Sequence, residues 1–402
     1  MKNIYHSDIY KFNTPVKSYW EDNSQENLNL EKLTKDVKSE IVVIGGGYTG
    51  LLCAINLIEN HNLDVILVEA GKIGWGASSR NAGFNCLPPS KMSFKKMQSI
   101  YGNDETKKFY KNSVEGSNYT KDIIKEYNID CDVTGNSNYV VAHHPNKFEQ
   151  IKEQARAYKD EFEIETEVYS KEEFNQIGHG GTEQYGAFSY KPGFAINPLK
   201  FVNGIAKHAL SKKLKIFEHT KVDQINKDNG SYLLKTKEGS IRSKKIVVAT
   251  NGFYQEGLIP KMDGRVLPVI SNIIVTRKLN DDELNLHNFK TFSPIANTKN
   301  LLYYYRKLPD NRILFGTRGD LSGSDQSNLD MSKKMEKFLK DIFPKWSNIN
   351  IEYNWRGLIA LSQKLTPSIG KIDNEEIYYG FGYNGVGVSA APWTGKQLSK
   401  LV

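Results

Sequence analysis

The chain has 402 residues, and its 54 basic against 46 acidic residues give a formal net charge of +8. This length exceeds what one hydrophobic core usually serves, so we expect two structural lobes. Only nine of the basic residues are Arg and the lysines are scattered, which does not favour a nucleic-acid binder, and no apolar run approaches the roughly 20 residues that span a bilayer.

The cysteine and histidine content indicates the cellular compartment and argues against a metal site. Cys53, Cys86 and Cys131 are an odd number of widely separated cysteines, which is typical of a reducing compartment. Residues 1–19 lack the apolar centre of a secretory signal, so we expect a cytoplasmic protein. The eight histidines include no HxxxH spacing, and we expect no metal site.

The first predicted elements form a β-α-β unit. Residues 39–44, SEIVVI, are an apolar β-branched run that ends at three glycines and is typical of a buried parallel strand. Residues 49–59 have helical composition, and residues 64–69, DVILVE, predict a second buried strand.

The turn between this strand and helix is GGGYTG, with Gly45, Gly47 and Gly50 at GxGxxG spacing and Tyr48 and Thr49 between them. Such glycines permit a tight turn, close approach of the backbone to a diphosphate, and close packing of the helix on the strand. The helix N-terminus adds unpaired N–H groups and a favourable dipole.

Glu69 lies 19 residues beyond Gly50, at the end of the second strand. A carboxylate at this position accepts hydrogen bonds from ribose hydroxyls and repels a 2′-phosphate. The unit therefore predicts a dinucleotide site and disfavours NADP.

The remaining elements alternate between strand and helix patterns. Strands are indicated wherever short apolar or alternating runs end at polar or glycine turns, and helices wherever apolar residues recur at helical spacing. In chain order we predict a helix over 197–213, a hairpin-like stretch over 221–243, a buried strand over 245–250, β-rich segments over 271–279 and 301–316, a helix over 331–343, and a strand, glycine-rich loop and helix over 377–402.

The segment after Glu69, AGKIGWGASSRNAGF, identifies the chain as similar to the glycine/D-amino-acid oxidase family of flavoproteins. The resemblance continues at SYW (18–20), KIVVATNGF (245–253), WRGLIALSQKLTPSIG (355–370) and YYGFGYNGVGVSAAPWTGKQL, so it covers nearly the whole chain. It implies that FAD contacts Ala70, Ser78, Ser79, Arg80, Asn81, Ala82, Val222, Thr250, Asn251, Gly252, Trp355, Gly357, Gly385, Val386, Gly387 and Val388, in addition to the GGGYTG loop and Glu69.

The family implies an α/β fold in which a Rossmann-like FAD-binding domain is interleaved with an α+β substrate domain built on a mostly antiparallel sheet. We expect the FAD-binding domain over 36–95, 190–265 and 350–402, the substrate domain over 96–189 and 266–349, and an N-terminal extension, 1–35, packed on the FAD-binding domain.

The C-terminal helix has a physical role in this scheme. Starting after Gly385 and Gly387, its positive end would stabilise negative charge at flavin N1 and O2. The covalent flavin link of some relatives needs a cysteine or histidine beside the ring, and residues 355–361 contain neither, so we expect non-covalent FAD.

The substrate is less well specified. The strands SNIIVTRKL and LLYYYRKLPDNRILFGTR present Tyr303, Tyr304, Tyr305, Arg306 and Arg318, and of these we expect Tyr305, Arg306 and Arg318 to contact the substrate. Aromatic faces hold cationic amines, and an Arg fork holds a carboxylate.

The C-terminal motif departs from sarcosine-oxidase-like relatives, because Ser389 stands where they carry a lysine and Val386 where they carry a histidine. The SYW and WRGLIALSQ segments look more like the gamma-glutamylputrescine oxidase branch, although Lys364 replaces an acid found in many of its members.

The resemblance implies oxidation of a C–N bond by hydride transfer from a neutral amine to flavin N5, followed by hydrolysis of the imine. Oxygen or another acceptor would reoxidise the flavin. Two alternatives stay open: an NAD-dependent dehydrogenase that uses only the first β-α-β unit, and a non-catalytic FAD-binding module, consistent with the absent lysine and histidine.

Overall fold

The computed structural model describes residues 4–24 and 26–402. Its central unit is β1 (Val37–Ile44), α2 (Tyr48–His61) and β2 (Val65–Val68). The two strands pair in parallel, with Ile44 opposite Val68, and every residue of β2 is buried. Apolar runs of this kind are stable only when both faces of a parallel sheet are covered.

The first large sheet contains this unit. Its strand order is β17-β18-β11-β1-β2-β8, with the hairpin β9-β10 attached to β11. Five strands, β18, β11, β1, β2 and β8, are parallel, as expected for a dinucleotide-binding sheet. The remaining strands are β8 (Lys215–Phe217), β9 (Gln224–Asp228), β10 (Ser231–Lys235), β11 (Ser240–Val248), β17 (Ser368–Lys371) and β18 (Ile377–Phe381).

The second large sheet has the order β16-β12-β15-β14-β13-β4-β6-β5 and is antiparallel except between β13 and β4. A separate two-stranded ribbon pairs β3 (Phe84–Asn85) with β7 (Phe194–Ala195). The strands of the second sheet are β4 (Asn138–Val141), β5 (Thr166–Tyr169), β6 (Ala187–Tyr190), β12 (Val266–Thr276), β13 (Ile295–Asn297), β14 (Tyr304–Lys307), β15 (Ile313–Arg318) and β16 (Ile351–Ser362).

Helices cover both sheets. One hydrophobic cluster joins α2, α7 and α10 to the first sheet, and another joins α9 to the second. The helix α4 is interrupted at Gly102, whose φ of +82° is non-helical. The remaining helices are α1 (Tyr19–Asp22), α3 (Ala77–Arg80), α4 (Phe94–Glu126), α5 (Pro145–Phe162), α6 (Lys171–Ile177), α7 (Pro198–Ser211), α8 (Asp281–Asn285), α9 (Asp325–Ile342) and α10 (Gly387–Ser399).

The predicted fold class is confirmed, but the predicted domain boundaries need two corrections. Residues 351–362 were assigned to the FAD-binding domain, whereas β16 pairs along its length with β12 of the second sheet. The extension also contacts more than the FAD-binding domain, because the backbone N–H of His6 donates to Ser322 O and the N–H of Asp325 donates to the Asp8 carboxylate.

The helix predicted over 331–343 begins earlier, at Asp325, because the Ser324 side chain caps its N-terminus by accepting from the N–H of Ser327. Within the described residues, no helix is both long enough and apolar enough to cross a membrane.

Candidate active site

A cavity of about 920 Å³ lies between residues of the two large sheets. Nineteen of the predicted cofactor-binding residues line it, and their contacts with FAD stay predictions. They are Gly45, Gly47, Tyr48, Thr49, Glu69, Ala70, Ser78, Arg80, Asn81, Ala82, Val222, Thr250, Asn251, Gly252, Gly357, Gly385, Val386, Gly387 and Val388.

The glycine loop is built so that side chains are excluded. Gly45 has a φ of +115°, and a Cβ there would lie 2.7 Å from Ala249 O. A Cβ on Gly50 would fall on the carbonyl oxygen of Gly45. Gly50 lies outside the cavity and lets α2 pack against the loop, so that the helix N-terminus, which has no side-chain cap, faces the cavity.

Glu69 lies immediately after β2. Its carboxylate accepts from the N–H of Gly46 at 2.7 Å and from the N–H of Gly71 at 2.8 Å. Burial raises the pKa of Glu69 despite these hydrogen bonds. The carboxylate has lone pairs left to accept further hydrogen bonds, and its contact with a ribose stays a prediction.

Arg80 is held rigidly at the cavity wall. Its Nε donates to Trp75 O at 2.6 Å and its Nη1 to Arg356 O at 3.2 Å, while the guanidinium lies over the Trp75 ring. Burial lowers the pKa of Arg80 to about 9. Its Nη2 is buried and has no partner among the described residues, so this nitrogen is free to donate to a ligand.

Ser79 and Trp355, which were expected to contact FAD, lie outside the cavity. The Ser79 N–H donates to Gly74 O, and the Trp355 Nε1 donates to Arg80 O at 2.8 Å. Both residues therefore position the segment that carries Arg80, and the prediction of direct contact is corrected.

The C-terminal segment forms another part of the cavity wall. Gly385 has a φ of +90°, and α10 begins at Gly387 with Val386 as an N-cap that offers no side-chain hydrogen bond. The first N–H groups of α10 are thus available to a ligand. Thr250 Oγ1 is also buried without a partner in the described part of the chain. Uncapped helix ends and orphaned polar atoms at these points fit a dinucleotide cofactor.

Two of the three predicted substrate contacts are misplaced. Side chains alternate across a strand, so in β14 Tyr304 faces the cavity and Tyr305 faces away. The Tyr305 hydroxyl lies 2.9 Å from His179 Nε2 in the core, and burial raises its pKa. Arg306 is buried outside the cavity, where its Nη2 donates to Ile196 O at 2.7 Å and its guanidinium lies over Trp20.

The third predicted contact, Arg318, lines the cavity together with Tyr304. Its Nη2 lies 2.9 Å from the position that a Cβ on Gly385 would take, and its Nε is buried without a partner in the described ranges. Burial lowers the pKa of Arg318. A guanidinium remains cationic in proteins, so it can bind an anion here.

Sequence reasoning missed several residues that line the cavity, including Cys86, Lys91 and Tyr190. They come from two segments far apart in the chain, and none belongs to a motif named above. Their proximity follows from long-range packing, for which the sequence carries no local signal. Across residues 4–24 and 26–402, no group of three or more His, Cys, Asp or Glu is placed to hold a metal ion.

Comparison with known proteins gives a family and a fold. A family described as FAD dependent oxidoreductase, DAO, matches residues 40–401. A probable oxidoreductase OrdL of Haemophilus influenzae is 27% identical, with 98% of this chain and 89% of that protein aligned. The gamma-glutamylputrescine oxidoreductase of Escherichia coli is also 27% identical, with 96% of this chain and 89% of that protein aligned.

Among solved structures, glycine oxidase from Geobacillus kaustophilus superposes with a TM-score of 0.74 at 16% identity, covering 90% of this chain and 94% of that one. At this identity the likeness concerns the fold alone.

Proposed function

The chain belongs to the DAO family of FAD-dependent oxidoreductases, and from this we propose that it oxidises a carbon–nitrogen bond in a small amine that also carries a carboxylate. FAD is its cofactor, and its flavin is the electron acceptor for this oxidation. This family assignment replaces the two alternatives, an NAD-dependent dehydrogenase and a non-catalytic module. Gly45 to Gly50 and the N-terminus of α2 would hold the diphosphate, and Glu69 the ribose.

The position of Arg318 is the observation that supports a carboxylate on the substrate. Its guanidinium lines the cavity beside Gly385, just before the start of α10, and the Arg318 side chain has no hydrogen-bond or ion-pair partner within the described chain. Arg forks bind carboxylates in a bidentate manner and fix the orientation of the group that follows. Arg318 would thus orient the amine for the reaction.

The walls around Arg318 favour the reactive form of the amine. Phe84, Leu87, Tyr190 and Leu302 supply mostly apolar surface that excludes water. Walls of low polarity disfavour the charged ammonium form and so favour the neutral amine with its free lone pair. The site accordingly needs no dedicated base, which agrees with the absence of a carboxylate among the lining residues beside Arg318 in the described structure.

Gamma-glutamylated amines are the substrate class we favour within this proposal. Support comes from the alignment with the Escherichia coli gamma-glutamylputrescine oxidoreductase along most of the chain. Such compounds carry a carboxylate at one end and the reacting amine at the other. We further propose non-covalent FAD, oxygen or another acceptor for its reoxidation, and a cytoplasmic location, in keeping with three free cysteines.

The test is anaerobic mixing of the purified yellow protein with gamma-glutamylated amines, N-methyl amino acids, D-amino acids and unmodified polyamines, with flavin absorbance as the readout. We expect bleaching by carboxylate-bearing amines and none by polyamines. Failure of every carboxylate-bearing amine to bleach the flavin would contradict the proposal.

A variant pair sharpens this experiment. R318M removes a charge-assisted hydrogen-bond donor worth roughly 1.5–3 kcal/mol, so the KM of the best substrate should rise about 10- to 100-fold while flavin content stays unchanged. The control K299M removes a nearby lysine that is paired with Glu183 and lies outside this cavity, and its KM should equal that of the wild type.

A further inference from the structure

Lys91 lines the same part of the cavity as Arg318, although it lies in a segment outside all the family motifs. Its Nζ is 3.9 Å from the position that a Cβ on Gly385 would take, and Nη2 of Arg318 is 2.9 Å from the same point. By the sum of these distances, the two cationic nitrogens are separated by less than about 7 Å.

Neither cation has a neutralising partner in the part of the chain that the structure describes. Within the described residues, Lys91 and Arg318 make no side-chain hydrogen bond and no ion pair. The acidic residues lining the cavity are Glu69 and Glu256, and both are engaged elsewhere. Glu69 accepts from the N–H groups of Gly46 and Gly71, and Glu256 from the N–H of Gly264.

This arrangement is unfavourable for the protein alone. Lys91 lines the cavity and is partly exposed to solvent, and desolvation by the surrounding protein, followed by the charge of Arg318, lowers the pKa of its ammonium to about 8. Two like charges held close together without a counter-ion destabilise the site unless an anion joins them.

The segment that carries Lys91 is fixed in place. The Ser389 hydroxyl donates to Cys86 O at 2.6 Å, the Asn384 amide donates to Pro89 O at 3.1 Å, and the Lys91 N–H donates to Leu365 O. Two of these anchors belong to the C-terminal segment that opens α10. These hydrogen bonds therefore fix the backbone of Lys91 relative to Gly385.

We propose that Lys91 is a second substrate-binding residue, which together with Arg318 holds the substrate carboxylate beside Gly385. This inference rests on the proposed function, because it assumes that the cavity takes a carboxylate-bearing amine. Arg318 supplies the planar fork and Lys91 the point charge of a two-cation clamp. The clamp also defines the substrate class, since it repels an amine that has no anionic group.

The test measures ligand binding and needs no turnover. Acetate and butyrate, with acetamide and butyramide as uncharged counterparts, are titrated into the FAD-loaded protein, and dissociation constants are read from the perturbation of the flavin spectrum. Wild type should bind the carboxylates more tightly than the amides. K91M should weaken carboxylate binding about 10-fold or more without changing amide binding, and K91R should restore at least part of the loss.

Flavin content and melting temperature of each variant establish that it is folded. Wild-type carboxylate affinity in folded K91M, or equal binding of carboxylates and amides by the wild type, would overturn the inference. Different results would contradict the proposed function. If carboxylates bind through Lys91 but no amine reduces the flavin, the two-cation clamp is supported and the amine oxidation is contradicted. If an amine reduces the flavin of K91M with the wild-type KM, only the clamp is contradicted.

Discussion

Lys91 and Arg318 differ in one respect that can be measured, which is their response to pH. The Arg318 guanidinium stays charged, whereas the pKa of Lys91 is lowered to about 8. The other titratable groups at this end are Cys86, whose pKa burial raises to about 12, and Tyr190 and Tyr304, whose pKa values burial also raises. These groups stay neutral where Lys91 titrates.

Carboxylate affinity should therefore depend on pH through Lys91. Only the protonated ammonium attracts the carboxylate, so affinity should be constant below about pH 8 and fall by up to about tenfold per pH unit above it. A bound carboxylate raises the pKa of Lys91, and the fall ends once pH exceeds that raised value. The measurement is the dissociation constant of butyrate between pH 6 and 10.

K91R is the matched control, because an arginine keeps its charge across this range. Its butyrate affinity should be independent of pH. A wild-type affinity that is equally flat would show that Lys91 does not contact the carboxylate, and an affinity that rises with pH would exclude its cationic role.

At the scale of elements, the proposed diphosphate site depends on the close approach of α2 to the glycine loop. Gly50 permits this approach because it has no Cβ to meet the carbonyl oxygen of Gly45. The same contact sets the orientation of α2, whose uncapped N-terminus faces the cavity. One methyl group at Gly50 would push the helix off the loop.

G50A should accordingly lose FAD. Since the added Cβ collides with backbone, which cannot rotate away, we expect the ratio of flavin to protein absorbance to fall to a small fraction of the wild-type ratio. G102A is the control, because its Cβ meets no atom within 4 Å. The only expected loss of stability comes from placing a residue with a side chain at a φ of +82°, roughly 1–2 kcal/mol. This variant should melt earlier and retain flavin, and a G50A protein that purifies fully yellow would refute the account.

At the scale of the whole molecule, the N-terminal extension contacts both lobes and lines part of the cavity. Phe12 lines the cavity and packs against the Trp75 and Phe253 rings of the FAD-binding lobe. The Asp8 carboxylate accepts from the N–H of Asp325 at the start of α9, and its ion pair with Lys11 and this backbone hydrogen bond lower its pKa to about 2. The extension thus contacts both the cavity wall and the start of α9.

Deletion of residues 1–12 should release FAD at a lower temperature. The deletion removes Phe12 from the cavity wall together with the contacts to α9, so the bound cofactor loses packing and the lobes lose a restraint. Flavin fluorescence during heating reports release, and tryptophan fluorescence reports unfolding. We expect the flavin transition to shift by several degrees and to precede unfolding, because ligand binding and stability are linked. Coincident, unshifted transitions would contradict this role.

The sequence by itself determined the nucleotide half of the protein. Apolar β-branched runs, the GxGxxG spacing and Glu69 after the second strand are local features, because each depends on residues near one another in the chain. They predicted the parallel sheet, the loop and the carboxylate with errors of one to a few residues at the element ends. The similarity of ordered motifs along the chain added the family and with it the cofactor.

Only the tertiary structure decided the substrate half. The strand pattern of YYYR could not tell which side chains face the cavity, because a shift of one residue exchanges the two faces of a strand, and the cavity side proved to be that of Tyr304. Lys91, Arg318 and Gly385 meet from three distant segments, and β16 joins the second sheet through pairing with β12. Such contacts arise from packing between elements, which no local stretch of sequence encodes.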